Sequence, residues 1–164
     1  MKNIKYVVAA ATVALALTAC AKQEQAPVAD EAAVALTAPA KDDDAGWRQY
    51  LQAVVRENLG SISNPPFLYY LPPESDPEFA AKYERQVEAA TTAMSRGVQP
   101  GNLLAFGSSA SARMADLIQA AFKEVPADSL KGVRVVFIGD ASENARVMTT
   151  VQATGAEYIF VEAK

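Results

Sequence analysis

Between Trp47 and Met94 the apolar positions recur every three or four residues. Trp47, Tyr50, Leu51 and Val54 share one face at the i, i+3, i+4, i+7 spacing, which predicts a helix over about Ala45 to Leu59. Asp44 suits its N-cap, and Gly60 can take the left-handed conformation that ends it. Phe79, Tyr83, Val87, Ala90 and Met94 make a second stripe that Gly97 stops. Ser75-Asp76-Pro77-Glu78 ahead of it reads as a capping box, with a proline where the first turn tolerates one. Between these helices, Pro65-Pro66 and Pro72-Pro73 bracket Phe67-Leu68-Tyr69-Tyr70-Leu71. Proline favours extended backbone in the residue before it and confines strands to sheet edges, so this segment is expected to be an extended strap.

From residue 103 the period changes. Leu103 to Phe106, Val133 to Ile138 and Tyr158 to Val161 are short runs without polar alternation, as in strands covered on both faces. Gly107-Ser108-Ser109-Ala110-Ser111 turns the chain into a helix carrying Met114, Leu117, Ile118, Ala121, Phe122 and Val125, which Pro126 closes. Gly139-Asp140-Ala141-Ser142 does the same for a helix over Glu143 to Thr154, capped by Gly155. Strand, helix, strand, helix, strand at this spacing is a βαβαβ unit with right-handed crossovers. The expected fold is a three-layer α/β domain over 45–164. A small, mostly parallel sheet fills its C-terminal half, preceded by two helices and the proline- and aromatic-rich strap.

Residues 21–44 have a different character. They are dominated by Ala, Asp, Glu, Gln and Pro and contain no aromatic side chain, so they offer little surface to offset the entropy of ordering. A flexible tether of this length would span roughly 27 Å. Ahead of it, Lys2 and Lys5 precede the uncharged run Tyr6 to Ala19, which ends in Leu17-Thr18-Ala19-Cys20. The run has the length of a signal-peptide core and is shorter than the about 20 residues a membrane span needs. Residues 1–20 resemble the lipobox signal of bacterial lipoproteins. The resemblance implies removal of 1–19 and a thioether-linked diacylglyceryl group on Cys20. It also implies acylation of the new amino terminus, palmitate being the expected chain, and a lipid-anchored tether over 20–44. Ala21, in place of aspartate, implies the periplasmic face of the outer membrane. Several acyl chains anchor stably where one would be marginal, because each buried methylene contributes about 0.8 kcal/mol.

Charge and composition narrow the function classes. Fifteen Lys plus Arg face nineteen Asp plus Glu, for a net charge of −4, and cleavage before Cys20 would remove Lys2 and Lys5 and make it −6. That balance gives no basis for a nucleic-acid partner. The chain has no histidine, which excludes Ser-His-Asp and Cys-His catalysis and His-ligated zinc. Its single cysteine allows no internal disulfide and no multi-cysteine metal site. Neither GxGxxG nor a P-loop is present, nor a Ser-x-x-Lys pair, so no cofactor is expected.

Two regions remain as candidate sites. In parallel sheets, ligands meet the carboxyl ends of strands near helix N-termini. The strand-end turns place Ser108, Ser109, Ser111 and Arg113 at one such end, an anion-friendly set, and Asp140 and Ser142 at the next. Turn-making and helix-capping account for the same residues equally well. Phe67, Tyr69 and Tyr70 of the strap form a possible interaction surface, since aromatic rings bring apolar area at low entropic cost, or else cover an edge of the domain. The expected function is a membrane-anchored periplasmic lipoprotein whose domain binds another envelope protein without catalysis. The alternative is an α/β hydrolase or small-anion-binding protein using 107–113 and 139–143.

Overall fold

A computed structural model describes residues 36–164. The signal segment 1–19, the lipidation site Cys20 and the tether up to residue 35 lie outside the described residues. Four helices and four strands alternate in the order α1 (Asp44–Glu57), β1 (Phe67–Tyr70), α2 (Phe79–Arg96), β2 (Leu103–Gly107), α3 (Ser111–Phe122), β3 (Arg134–Gly139), α4 (Ala141–Gln152) and β4 (Glu157–Glu162). The strap is therefore a full member of the sheet, and the fold is α/β with four parallel strands in the order β1-β2-β3-β4.

That order has a direct consequence. Three right-handed crossovers stepping in the same direction put their helices on the same face. One core accordingly joins Leu104, Phe106, Val135 and Phe137 to α2, α3 and α4 through residues such as Met94, Leu117, Ile118 and Val147. The alternate residues Leu103, Ala105, Val136 and Ile138 form a second core on the opposite face with Trp47, Tyr50, Leu51 and Val54 of α1. Both faces being covered, β2 and most of β3 are wholly buried, which explains their unbroken apolar runs. Trp47 is a core anchor, in T-shaped contact with Tyr50 at 5.5 Å.

The folded unit begins before Ala45. Leu36 and Ala38 pack against the α1-side core, the Ala38 N–H donates to the Lys164 carbonyl at 2.9 Å, and the Trp47 indole N–H donates to the Ala40 carbonyl at 3.1 Å. Described residues 36–43 thus belong to the domain and not to the tether. A short apolar pair, backed by backbone hydrogen bonds, is enough to hold a segment whose composition reads as linker. The N-cap of α1 moves with it: Asp43, not Asp44, accepts from the Gly46 N–H at 2.9 Å. The capping box before α2 also differs from expectation. Glu78 is the N-cap position without a side-chain bond, and Asp76 instead accepts from the Glu78 N–H at 2.7 Å and from Lys82 at 2.6 Å. Arg134 ties the far end together. It forks onto Glu157 at 2.9 and 3.0 Å while a third nitrogen donates to the Asn58 and Leu59 carbonyls just beyond the end of α1.

Candidate functional site

The carboxyl ends of the strands carry the serine-rich set, and the structure places each member separately. Ser108 is fully buried; its hydroxyl donates to the Leu71 carbonyl at 2.8 Å and accepts from the Ala110 N–H at 2.9 Å. The Ser111 hydroxyl accepts from the Asp140 N–H at 2.8 Å and so joins the β2–α3 turn to the β3–α4 turn. Neither serine caps its own helix: Ala110 and Asp140 occupy the N-cap positions of α3 and α4, both without a side-chain bond. Arg113 lies over the Tyr83 ring at 4.3 Å and 3.7 Å from Asp116. Asp140 and Ser142 are exposed, and the only hydrogen bond of the Ser142 side chain among the described residues is a 3.4 Å contact to Glu143. No hydrogen bond links Ser109, Arg113 and Asp140 to one another among the described residues.

Gly107 and Gly139 are the last residues of their strands, and neither has a positive φ. Their smallness is what matters, because a methyl at Gly107 would overlap Leu51 and one at Gly139 would overlap the Ser111 hydroxyl. The topology also removes the usual reason for a ligand here. A crevice opens where strand order reverses and neighbouring loops diverge, and the order β1-β2-β3-β4 has no reversal. Lys41 and Asp42 come down beside Ser109 and Ala110, with Glu74 and Ser75 opposite, so the segment thought to be tether borders this end of the sheet.

The strap is different. Tyr69 is core, 8% exposed and stacked on Phe106 at 4.7 Å, which withdraws it from the expected interaction surface. Phe67 is 52% exposed and Leu68 37%, two of the three large apolar side chains left open among the described residues. Tyr70 is half-buried; its hydroxyl donates to Asp44 at 2.8 Å, and Arg48 lies over its ring at 4.7 Å.

Beside this strand runs a groove of about 360 Å³. Arg48 and Gln52 of α1 line one wall, Lys82, Arg85 and Gln86 of α2 the other, and Leu68, Tyr70 and Pro72 the floor. Asp44 braces Arg48 from behind at 2.9 Å, and Asp76 and Glu78 hold Lys82 at 2.6 and 3.3 Å. The hydrogen bond from Arg48, with a further one from Tyr70, keeps the Asp44 carboxyl below its ordinary range. Burial, then the Asp44 carboxylate, raises the Tyr70 phenol well above its own. Asp76 likewise keeps the Lys82 ammonium charged. Arg85 is exposed and enters no ion pair among the described residues.

The groove escaped sequence reasoning because its walls come from helices on opposite faces of the sheet, and only the topology brings Arg48 to Lys82 and Arg85. The Arg146 cluster was missed for a similar reason. Arg146 pairs with Glu143 on α4 and reaches across to Asp116 at 2.7 Å and to the Ala112 carbonyl at 2.9 Å on α3. Among the described residues no group of three or more His, Cys, Asp or Glu could hold a metal ion, and no helix is long and apolar enough to cross a membrane. No protein-family model, curated protein or solved structure matches this chain.

Proposed function

We propose that the chain is a lipid-anchored protein of the bacterial cell envelope whose folded domain is a non-catalytic binding module for another envelope protein. The groove beside β1 is its recognition surface. The observation that carries this reading is that one sheet edge leaves Leu68 open beside the cations Arg48, Lys82 and Arg85 of the flanking helices and Phe67 open beside a neighbouring concavity. Exposed apolar area rimmed by polar groups is the common form of an interaction site. The lipobox at Leu17 to Cys20 supports the anchor, and Ala21 supports the periplasmic face of the outer membrane.

A photo-reactive side chain at Gln52, on the groove wall, tests the module in living cells. It should cross-link one envelope protein, whereas the same group at the exposed Ser142 should not. Equal or absent products from both positions would remove the reading. Cys20→Ser should abolish palmitate incorporation, and continued labelling would refute the anchor.

A further inference from the structure

We propose that the outer edge of β1 takes an extended acidic peptide as a fifth strand, its carboxylates held by Arg48, Lys82 and Arg85. The proposal rests on the binding-module reading above and names the chemistry of the partner.

The backbone comes first. β1 pairs only with β2, and no hydrogen bond from the described residues reaches the outer side of Phe67–Tyr70. Such an edge can accept an extended peptide through main-chain bonds. Pro66 before the strand and Pro72 beyond it supply no N–H, so the usable ladder is short and does not invite indefinite growth.

Charge then selects the peptide. The helices α1 and α2 cover opposite faces of the sheet, yet both turn cations toward this edge, with the amides of Gln52 and Gln86 between them. Among the described residues no carboxylate lines the groove. Arg48 and Lys82 are already paired with Asp44 and with Asp76 and Glu78, so they would share their remaining donors with a peptide carboxylate, whereas Arg85 makes no ion pair among the described residues and is the open cation of the three. A guanidinium offers paired donors that match a carboxylate.

Alternation supplies the third element. Leu68 and Tyr70 floor the cationic groove, whereas Phe67 and Tyr69 border a second, mainly apolar concavity of about 320 Å³ with Ala93, Val98 and Leu104, whose lining also includes Arg96, Gln99 and Asn102. A strand laid along the edge shares that alternation. One set of its side chains meets cations and the other meets apolar surface, so the fitting sequence alternates acidic and apolar residues. A free anion would use the cations alone and leave both the edge and the apolar concavity unfilled.

The test uses the full chain in detergent and a short acetylated, amidated peptide alternating glutamate and valine, followed by fluorescence anisotropy at low salt. Binding should weaken at least about tenfold when lysine replaces glutamate in the peptide and again when Arg85→Glu is introduced. N-methylation of alternate peptide amides should also abolish it, because the ladder bonds are lost. Arg85 is exposed, so the variant should melt like the parent and the loss can be read as binding. Equal affinity for the lysine peptide would overturn the charge assignment. Undiminished binding of the N-methylated peptide, or equal competition by inorganic phosphate, would overturn strand addition and leave an anion patch. Failure of the binding-module reading shows elsewhere, as absence of a specific Gln52 cross-link in cells. A specific cross-link together with no peptide binding removes this inference alone.

Discussion

The carboxyl ends of β2 and β3 and the outer edge of β1 are built from similar polar chemistry and use it in opposite ways. At the strand ends, the hydroxyls of Ser108 and Ser111 are engaged by backbone groups of neighbouring segments, and Arg113 is engaged by Tyr83 and Asp116. Along β1, a strand's worth of backbone, Phe67, Leu68 and Arg85 face outward with no such partner among the described residues. A residue type indicates what chemistry is possible. Hydrogen-bonding capacity left unsatisfied at a surface indicates where that chemistry remains available to a partner.

The difference is sharpest between two leucines of adjacent strands. Leu104 is 1% exposed in β2, between β1 and β3, and Leu104→Ala should cost about 2–5 kcal/mol in lost transfer energy and cavity. Leu68→Ala, on the open edge, should cost less than about 1 kcal/mol. Urea unfolding of the two variants measures both, and an equal loss would mean that the edge is core. The strand ends give the next largest effect. Ser108→Ala leaves the Leu71 carbonyl and the Ala110 N–H buried without their partner, at about 1–3 kcal/mol. Ser109→Ala, one residue on and half-buried, should stay within about 0.5 kcal/mol. If Ser109 proves the costlier serine in thermal melts, the assignment of Ser108 as the structural one fails.

How far the sequence carries such distinctions depends on the range of the interaction. Helices and strands were legible because each rests on local periodicity: the stripe from Phe79 to Met94 lies within α2, and the run from Leu103 to Phe106 within β2. Proline pairs were enough to mark the strap as an edge segment, and β1 is an edge strand. Partners more than about thirty residues apart were not legible. Nothing near Ser108 signals Leu71, and nothing near Arg134 signals Asn58. The start of the domain was misplaced for the same reason, since Ala38 is held by Lys164 at the other end of the chain. Tyr69 and Tyr70, identical and adjacent, are separated only by which face of the sheet each meets.

Acid should act on the groove side of the comparison. Asp44 has a folded-state pKa below its ordinary value of 3.8, through Arg48 first. The unfolded chain therefore binds this proton more readily. The contribution is complete above that ordinary value and is lost as pH falls through the lower folded one. Both partners are about half exposed, so the effect should stay below about 1 kcal/mol. Melting temperature measured on descent from about pH 5 to about pH 3 should fall more steeply for the parent than for Asp44→Asn. Asp76, held low by Lys82, should preserve part of the slope in the variant. Identical slopes would show that the Asp44–Arg48–Tyr70 unit does not brace the groove wall.

The smallest expected effect bears most directly on the strand-end residues. Arg113 stacks on Tyr83 at a half-buried position, a contact worth about 0.5–1 kcal/mol, and its ion pair with Asp116 at 3.7 Å adds little. Arg113→Ala should therefore lower the melting temperature slightly, by loosening α3 against α2. Added phosphate should raise the melting temperature of neither parent nor variant, because Ser108 already donates its hydroxyl proton to Leu71 and Ser111 is buried where it accepts from the Asp140 N–H. A ligand that binds only the folded state stabilises it in proportion to the logarithm of its concentration over Kd, so even weak binding would register at high phosphate. Stabilisation of the parent that vanishes in Arg113→Ala would place an anion at the β2–α3 turn after all. Stabilisation that survives Arg113→Ala and vanishes in Arg85→Gln would instead place it in the groove beside β1.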